Sequence, residues 1–177
     1  MKKLSVMTAV LVALAVSTAA RAEHIRATLI GYEEVPAVST VAKGEFEGTI
    51  SRDHGLIEYE LTYSGLQGTV QQAHIHIAQR SVNGSIVIWL CQTTTTPAPA
   101  AVQGLTPFCP QSGTVTGHIT AANVIAAGTV SQQIAAGELA EVIAAMRARV
   151  AYVNVHATPL NPGGEIRGQI RARRSDD

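Results

Sequence analysis

This 177-residue sequence has no excess of either charge, and after its first 22 residues it has no long apolar run, few aromatic residues and two cysteines. Each scarcity excludes something. Lys+Arg and Asp+Glu both number 13, and no basic stripe forms, so the chain lacks the electrostatic footprint of a nucleic-acid binder. Without a later apolar run, no membrane span is expected in the mature chain. Met146 is the one methionine beyond residue 22, which rules out a methionine-rich Cu(I) site. No nucleophile elbow, phosphate loop or carboxylate pair is present, and no catalytic residue is assigned.

The N-terminus has the three parts of an export leader. Lys2-Lys3 precede the apolar run Val6 to Val16, and Ala20-Arg21-Ala22 supply small residues at a cleavage point. The run is too short to cross a bilayer. The mature chain is expected to begin at Glu23 after cleavage near Ala22 and to be periplasmic or secreted. Without Lys2, Lys3 and Arg21, the 13 basic residues fall to 10 against 13 acidic ones, a net charge of −3. In an oxidising compartment Cys91 and Cys109 most simply form one disulfide, since their spacing fits no zinc motif.

The mature chain reads as one domain over 23–172, followed by a solvated tail over 173–177. Short alternating segments recur between turn signals, the pattern of an antiparallel, Greek-key-like β-sandwich or barrel. Strands are expected over Ile25 to Ile30, Glu45 to Ile50, Leu56 to Tyr63, Ala73 to Ile77, Ser85 to Cys91, Thr114 to Thr120 and Tyr152 to His156. Arg52-Asp53-His54-Gly55 makes a hairpin turn, with His54 in water. Residues 92–110, rich in Thr, Pro and Ala, read as an irregular excursion closed by the disulfide. One amphipathic helix is expected over about 136–149, because Leu139, Val142, Ile143 and Met146 recur at i, i+3, i+4 and i+7.

Chemistry concentrates in Ala73-His74-Ile75-His76-Ile77. Strict alternation puts both imidazoles on one face of a strand, their Cβ atoms roughly 6.5–7 Å apart at a rise of about 3.3 Å per residue. Ala73, Ile75 and Ile77 take the core face. Across the Ser81 to Gly84 turn, parity assigns Ile86, Ile88 and Leu90 to the core, and Val87, Trp89 and Cys91 to the histidine face. Ala151, Val153 and Val155 likewise claim the core, leaving Tyr152, Asn154 and His156 pointing out. The chain then turns through Asn161-Pro162-Gly163-Gly164, after which Glu165 and Arg167 share a face, as an exposed pair or as a brace for the turn.

Four ordered stretches, Glu34-Val35-Pro36, Ala73-His74-Ile75-His76 with Asn83-Gly84, Tyr152 to His156, and Pro162 to Ile170, resemble the successive motifs of the CHRD domain, named from chordin. The match spans about Ile25 to Ile170. It departs from the family pattern at Ala37, Ala78 and Ala157 and in the length of the 92–110 excursion. The resemblance implies an extracytoplasmic β-sandwich, found repeated in a secreted growth-factor binder and singly in many exported bacterial proteins. It therefore points to a possible extracytoplasmic protein partner and hands over no reaction. A weaker, fold-level similarity is to copper/zinc superoxide dismutase, which also has His-x-His on a Greek-key strand and one disulfide.

The residues themselves nominate a metal ion as partner, held by His74, His76 and His156. Three neutral imidazoles without thiolate or carboxylate suit copper first on intrinsic affinity, with zinc as the alternative. His118 and His24 are candidates for a fourth ligand. The functions in view are metal handling or sequestration, protein binding with structural histidines, and a small copper oxidoreductase.

Overall fold

The structure, a computed structural model, describes residues 22–173. The expected leader, apart from Ala22, and residues 174–177 lie outside the described residues. Among the described residues nine strands form one antiparallel sheet: β1 (Glu23–Ile30), β2 (Lys43–Ile50), β3 (Ile57–Ser64), β4 (Thr69–Ile77), β5 (Ser85–Cys91), β6 (Gly113–Ile119), β7 (Ala151–Thr158), β8 (Asn161–Gln169) and β9 (Arg171–Arg173). Their order is β5-β4-β7-β8-β1-β2-β3-β6, with β9 on β1. The terminal strands β5 and β6 come into contact, so the sheet curls into a nearly closed barrel. The mostly β, antiparallel architecture is therefore the one the alternation implies.

Alternation decides which side chains fill the barrel. In β3, Ile57, Tyr59, Leu61 and Tyr63 point inward while Glu58, Glu60 and Thr62 stay exposed. Phe46, Ile75, Ile88, Val153 and Ile166 join them in the core. The β2–β3 hairpin closes as expected, with Asp53 accepting hydrogen bonds from Ser51 Oγ at 2.6 Å and Gly55 N at 3.2 Å. His54 takes the left-handed conformation, φ +58°, and is exposed.

The amphipathic helix is shorter than its sequence expectation of about 136–149. It runs Leu139–Arg147, and all four residues of its apolar stripe are buried. Arg149 at φ +61° ends it, and Val150 N–H returns to the Ala145 carbonyl at 2.9 Å. It is also not the sole helix. A one-turn segment, α1 (Ala100–Gln103), sits inside the 92–110 excursion, which makes the longer helix α2. Cys91 and Cys109 are disulfide-bonded across that excursion.

Three further expectations are corrected. Arg171 to Arg173 pair with β1, Arg173 lying opposite His24, so the tail does not begin at 173; three residues suffice for a ladder, and so short a run carries little periodicity to read. Asn161 to Gly164 belong to β8, and the chain reverses before them at Pro159-Leu160. The β4–β5 register contains shifts between Ala73 and His74 and between Ile75 and His76. Each adds a residue to one strand and reverses parity. Cys91 consequently lies opposite Ala73 and joins the core with Val87, whereas Ile86 lies opposite His76. Ile88 and Leu90 stay in the core and Trp89, opposite His74, stays on the histidine side, as expected.

Candidate metal centre

His74 and His76 come from β4 and His156 from the neighbouring β7. All three project from the sheet face opposite the apolar core, as parity requires. That face is not open to water. His74, His76 and His156 are 0 %, 7 % and 6 % exposed. The connection after β1 and the tip of the β4–β5 hairpin roof it over, tied to each other by Asn83 Nδ2 donating to the Val35 carbonyl at 3.1 Å. The outward placement expected for Tyr152, Asn154 and His156 is thus corrected: these residues occupy a buried polar layer. Alternation reports the two sides of a strand and says nothing of what covers the second side.

The tautomers follow from the backbone. His76 Nδ1 stands 2.9 Å from the Gly84 carbonyl, and His156 Nδ1 stands 2.8 Å from the Pro162 carbonyl. A carbonyl only accepts, so in both rings Nδ1 carries the hydrogen and Nε2 keeps its lone pair. His74 Nδ1 lies 3.3 Å from His156 Nε2. One nitrogen from each ring lies within 4.8 Å of the others. For metal–nitrogen bonds of about 2.0–2.1 Å, tetrahedral geometry places neighbouring nitrogens about 3.3–3.4 Å apart. The His74–His156 spacing already meets that value.

Electrostatics favours neutral ligands. Burial holds the pKa of His74 well below the usual histidine value, helped by His156 and His76. Burial also lowers His76 to about 4 and lowers His156, in each case against a helping carbonyl hydrogen bond. All three rings therefore present lone pairs at neutral pH. Two of those nitrogens, His74 Nε2 and His76 Nε2, are buried without a hydrogen-bond partner. An orphaned buried acceptor costs about 1–3 kcal/mol, and His76 Nε2, the lone-pair nitrogen of its ring, is one that a bound cation would satisfy. The residues present thus fit a transition-metal ion.

Further groups complete the layer. Glu34 is buried, and its pKa is raised to about 7 by burial, which the nearby Arg167 charge only partly offsets. Glu165 accepts from Thr40 Oγ1 at 2.7 Å and Gln67 N at 2.8 Å. Arg167 donates to Asn83 Oδ1 at 2.9 Å and to the Val82 carbonyl. Glu165 and Arg167 are accordingly neither exposed nor paired with each other; each reaches a different roof segment. Gly164, at φ +127°, admits the approach: a Cβ there would lie 2.5 Å from Glu34 Oε1 and 2.8 Å from Asn154 Nδ2. A sequence signal for this layer existed in Glu34 and Arg167, charged residues inside the motif stretches, which plain alternation reads as solvated.

Neither candidate fourth ligand joins the three. His118, on β6, is exposed and stands 4.0 Å from Glu58, while His24, on β1, stands 3.3 Å from Thr49 Oγ1. Trp89 lies edge-on to His74, ring centres 4.3 Å apart. Among the described residues no helix is long and apolar enough to cross a membrane. No curated protein and no solved structure matches the chain. The family model of the CHRD domain does match, over residues 25–170, which carry most of β1, all of β2 through β8 and all three clustered histidines; the chain belongs to the CHRD-domain family.

Proposed function

We propose that this CHRD domain binds a transition-metal ion on His74, His76 and His156, copper before zinc, and serves to handle or sequester it outside the cytoplasm. The observation that carries the reading is the convergence of three neutral, buried imidazoles, two of them with orphaned nitrogens, while carbonyls hold the far side of two rings. Such outer hydrogen bonds orient ligating histidines and raise their basicity. Copper leads on donor chemistry, because an all-imidazole set follows the general affinity order with nothing softer or harder to redirect it. The near-complete burial of the rings favours retention of an ion over turnover of a bulky substrate. Export accords with the Lys2-Lys3 leader and with the Cys91–Cys109 disulfide.

Trp89 is the sole tryptophan of the chain and touches His74. Copper(II) at the site should therefore quench its emission, with zinc as the non-quenching comparison. Titration of the mature protein is expected to saturate at one equivalent, and His74→Ala, His76→Ala and His156→Ala should each abolish stoichiometric binding. Absence of binding in the unsubstituted protein, or binding unaffected by all three changes, refutes the reading. The alternative is a protein-binding module in which the same hydrogen bonds to Gly84 and Pro162 merely pin loops; it predicts metal-free behaviour throughout.

A further inference from the structure

Arg167 takes no part in the ligand set, yet it is 2 % exposed and among the largest fully buried side chains. A guanidinium persists in such a place only where its charge and donors are matched. Its two donated bonds both reach the tip of the β4–β5 hairpin, at Val82 and Asn83. Its central carbon lies 3.4 Å from the Tyr152 ring centre. Strand β7 runs between β4 and β8, so Tyr152 separates Arg167 from His76, on which it stacks at 4.7 Å and 6°. The Tyr152 hydroxyl accepts Gly84 N–H at 3.3 Å, and the Gly84 carbonyl accepts His76 Nδ1–H. Two routes therefore connect the guanidinium to His76, one through the backbone of 82–84 and one through the tyrosine ring.

Residues Gln79 to Asn83 of that tip are exposed. The remaining side-chain ties, Arg80 to Glu33 and Asn83 to the Val35 carbonyl, are at the surface, where such contacts contribute little. The two Arg167 bonds are charge-assisted and part-buried, starting from a guanidinium that is itself buried, and such bonds are the stronger ones. We infer that Arg167 is a positioning residue: by anchoring Val82 and Asn83 it keeps the Gly84 carbonyl on His76 Nδ1, so that Nε2 faces the other two rings. Its functional meaning rests on the metal reading proposed above, whereas the tautomer it enforces is a property of the metal-free protein as well. Lysine would not replace it, having neither the planar fork that spans two acceptors nor a flat face for Tyr152.

The test uses the mature protein carrying Arg167→Met or Arg167→Lys, with Ile143→Ala, in the remote core, as a comparably destabilised control. Histidine side-chain nitrogen NMR of the metal-free proteins reads the His76 tautomer, and competition against a chromophoric chelator reads zinc affinity. Both Arg167 variants should show His76 as a tautomer mixture and a 10–100-fold loss of zinc affinity, with Ile143→Ala unchanged in both. Retention of the single Nδ1–H tautomer in Arg167→Met overturns the inference, as does an equal affinity loss in Ile143→Ala. Should Arg167→Met fail to fold, Asn83→Ala at the exposed tip removes one anchor, and an unshifted tautomer there overturns it too. If the unsubstituted protein binds no metal, the proposed function falls, while a tautomer shift in the variants still upholds the positioning role.

Discussion

Acidification tests the buried polar layer most directly, because burial moves its histidines and Glu34 in opposite senses. The His76 pKa falls from 6.5 unfolded to about 4 folded. The unfolded chain then binds the extra proton between those values, and stability declines as pH drops below 6.5, levelling near 4. At 1.36 kcal/mol per unit this ring alone amounts to about 3 kcal/mol. Glu34 rises from 4.5 to about 7, so its contribution is full below 4.5 and lost as pH rises through 7, again by about 3 kcal/mol. Between 4.5 and 6.5 the two slopes cancel, and the residual acid sensitivity comes from His74 and His156, whose pKa values are also lowered. Urea unfolding of the metal-free protein, followed by Trp89 emission from pH 4 to 8, measures the sum. His76→Gln should remove one proton of slope below 6.5. Glu34→Gln should raise stability at pH 8 and steepen the acid limb. If both variants keep the parent's pH profile, these groups are not desolvated as described and the reasoning fails.

Other outcomes follow from particular contacts. Gly164→Ala must force a side chain into the left-handed region and against Glu34 and Asn154; a loss of at least about 2 kcal/mol in urea unfolding is expected, and a neutral result would contradict the packing. Replacing Cys91 and Cys109 together with alanine opens a loop of sequence separation 18 and should cost about 3 kcal/mol, read as a shift in the same transition. Ile143→Ala in α2 should cost about 2–5 kcal/mol, since Ile143 is 1 % exposed. A calorimetric melt that leaves its midpoint unmoved would place the helix off the core.

The residues themselves supplied much of this picture. Period-two alternation marked seven of the nine strands, since inward and outward positions of a barrel wall differ in polarity. The stripe Leu139, Val142, Ile143 and Met146 marked the helix, and the two cysteines marked their bond. His74 and His76 were legible as one-sided because that follows from chain geometry alone. Illegible were Ile86, Val87 and Cys91, whose sides the β4–β5 bulges exchange, because a bulge is an agreement between two strands that neither carries alone.

By itself the sequence determined an antiparallel β domain with its apolar faces turned in and two imidazoles on one side of a strand. Only the tertiary structure decided that His156 arrives beside them, since β4 pairs with β7 some eighty residues later in the chain. It also decided that this second face is sealed. A polar residue such as Glu34, Asn154 or Arg167 looks the same in sequence whether its partners are waters or one another. The difference lies in which loops close over it, and that is fixed by long-range packing rather than by any local period.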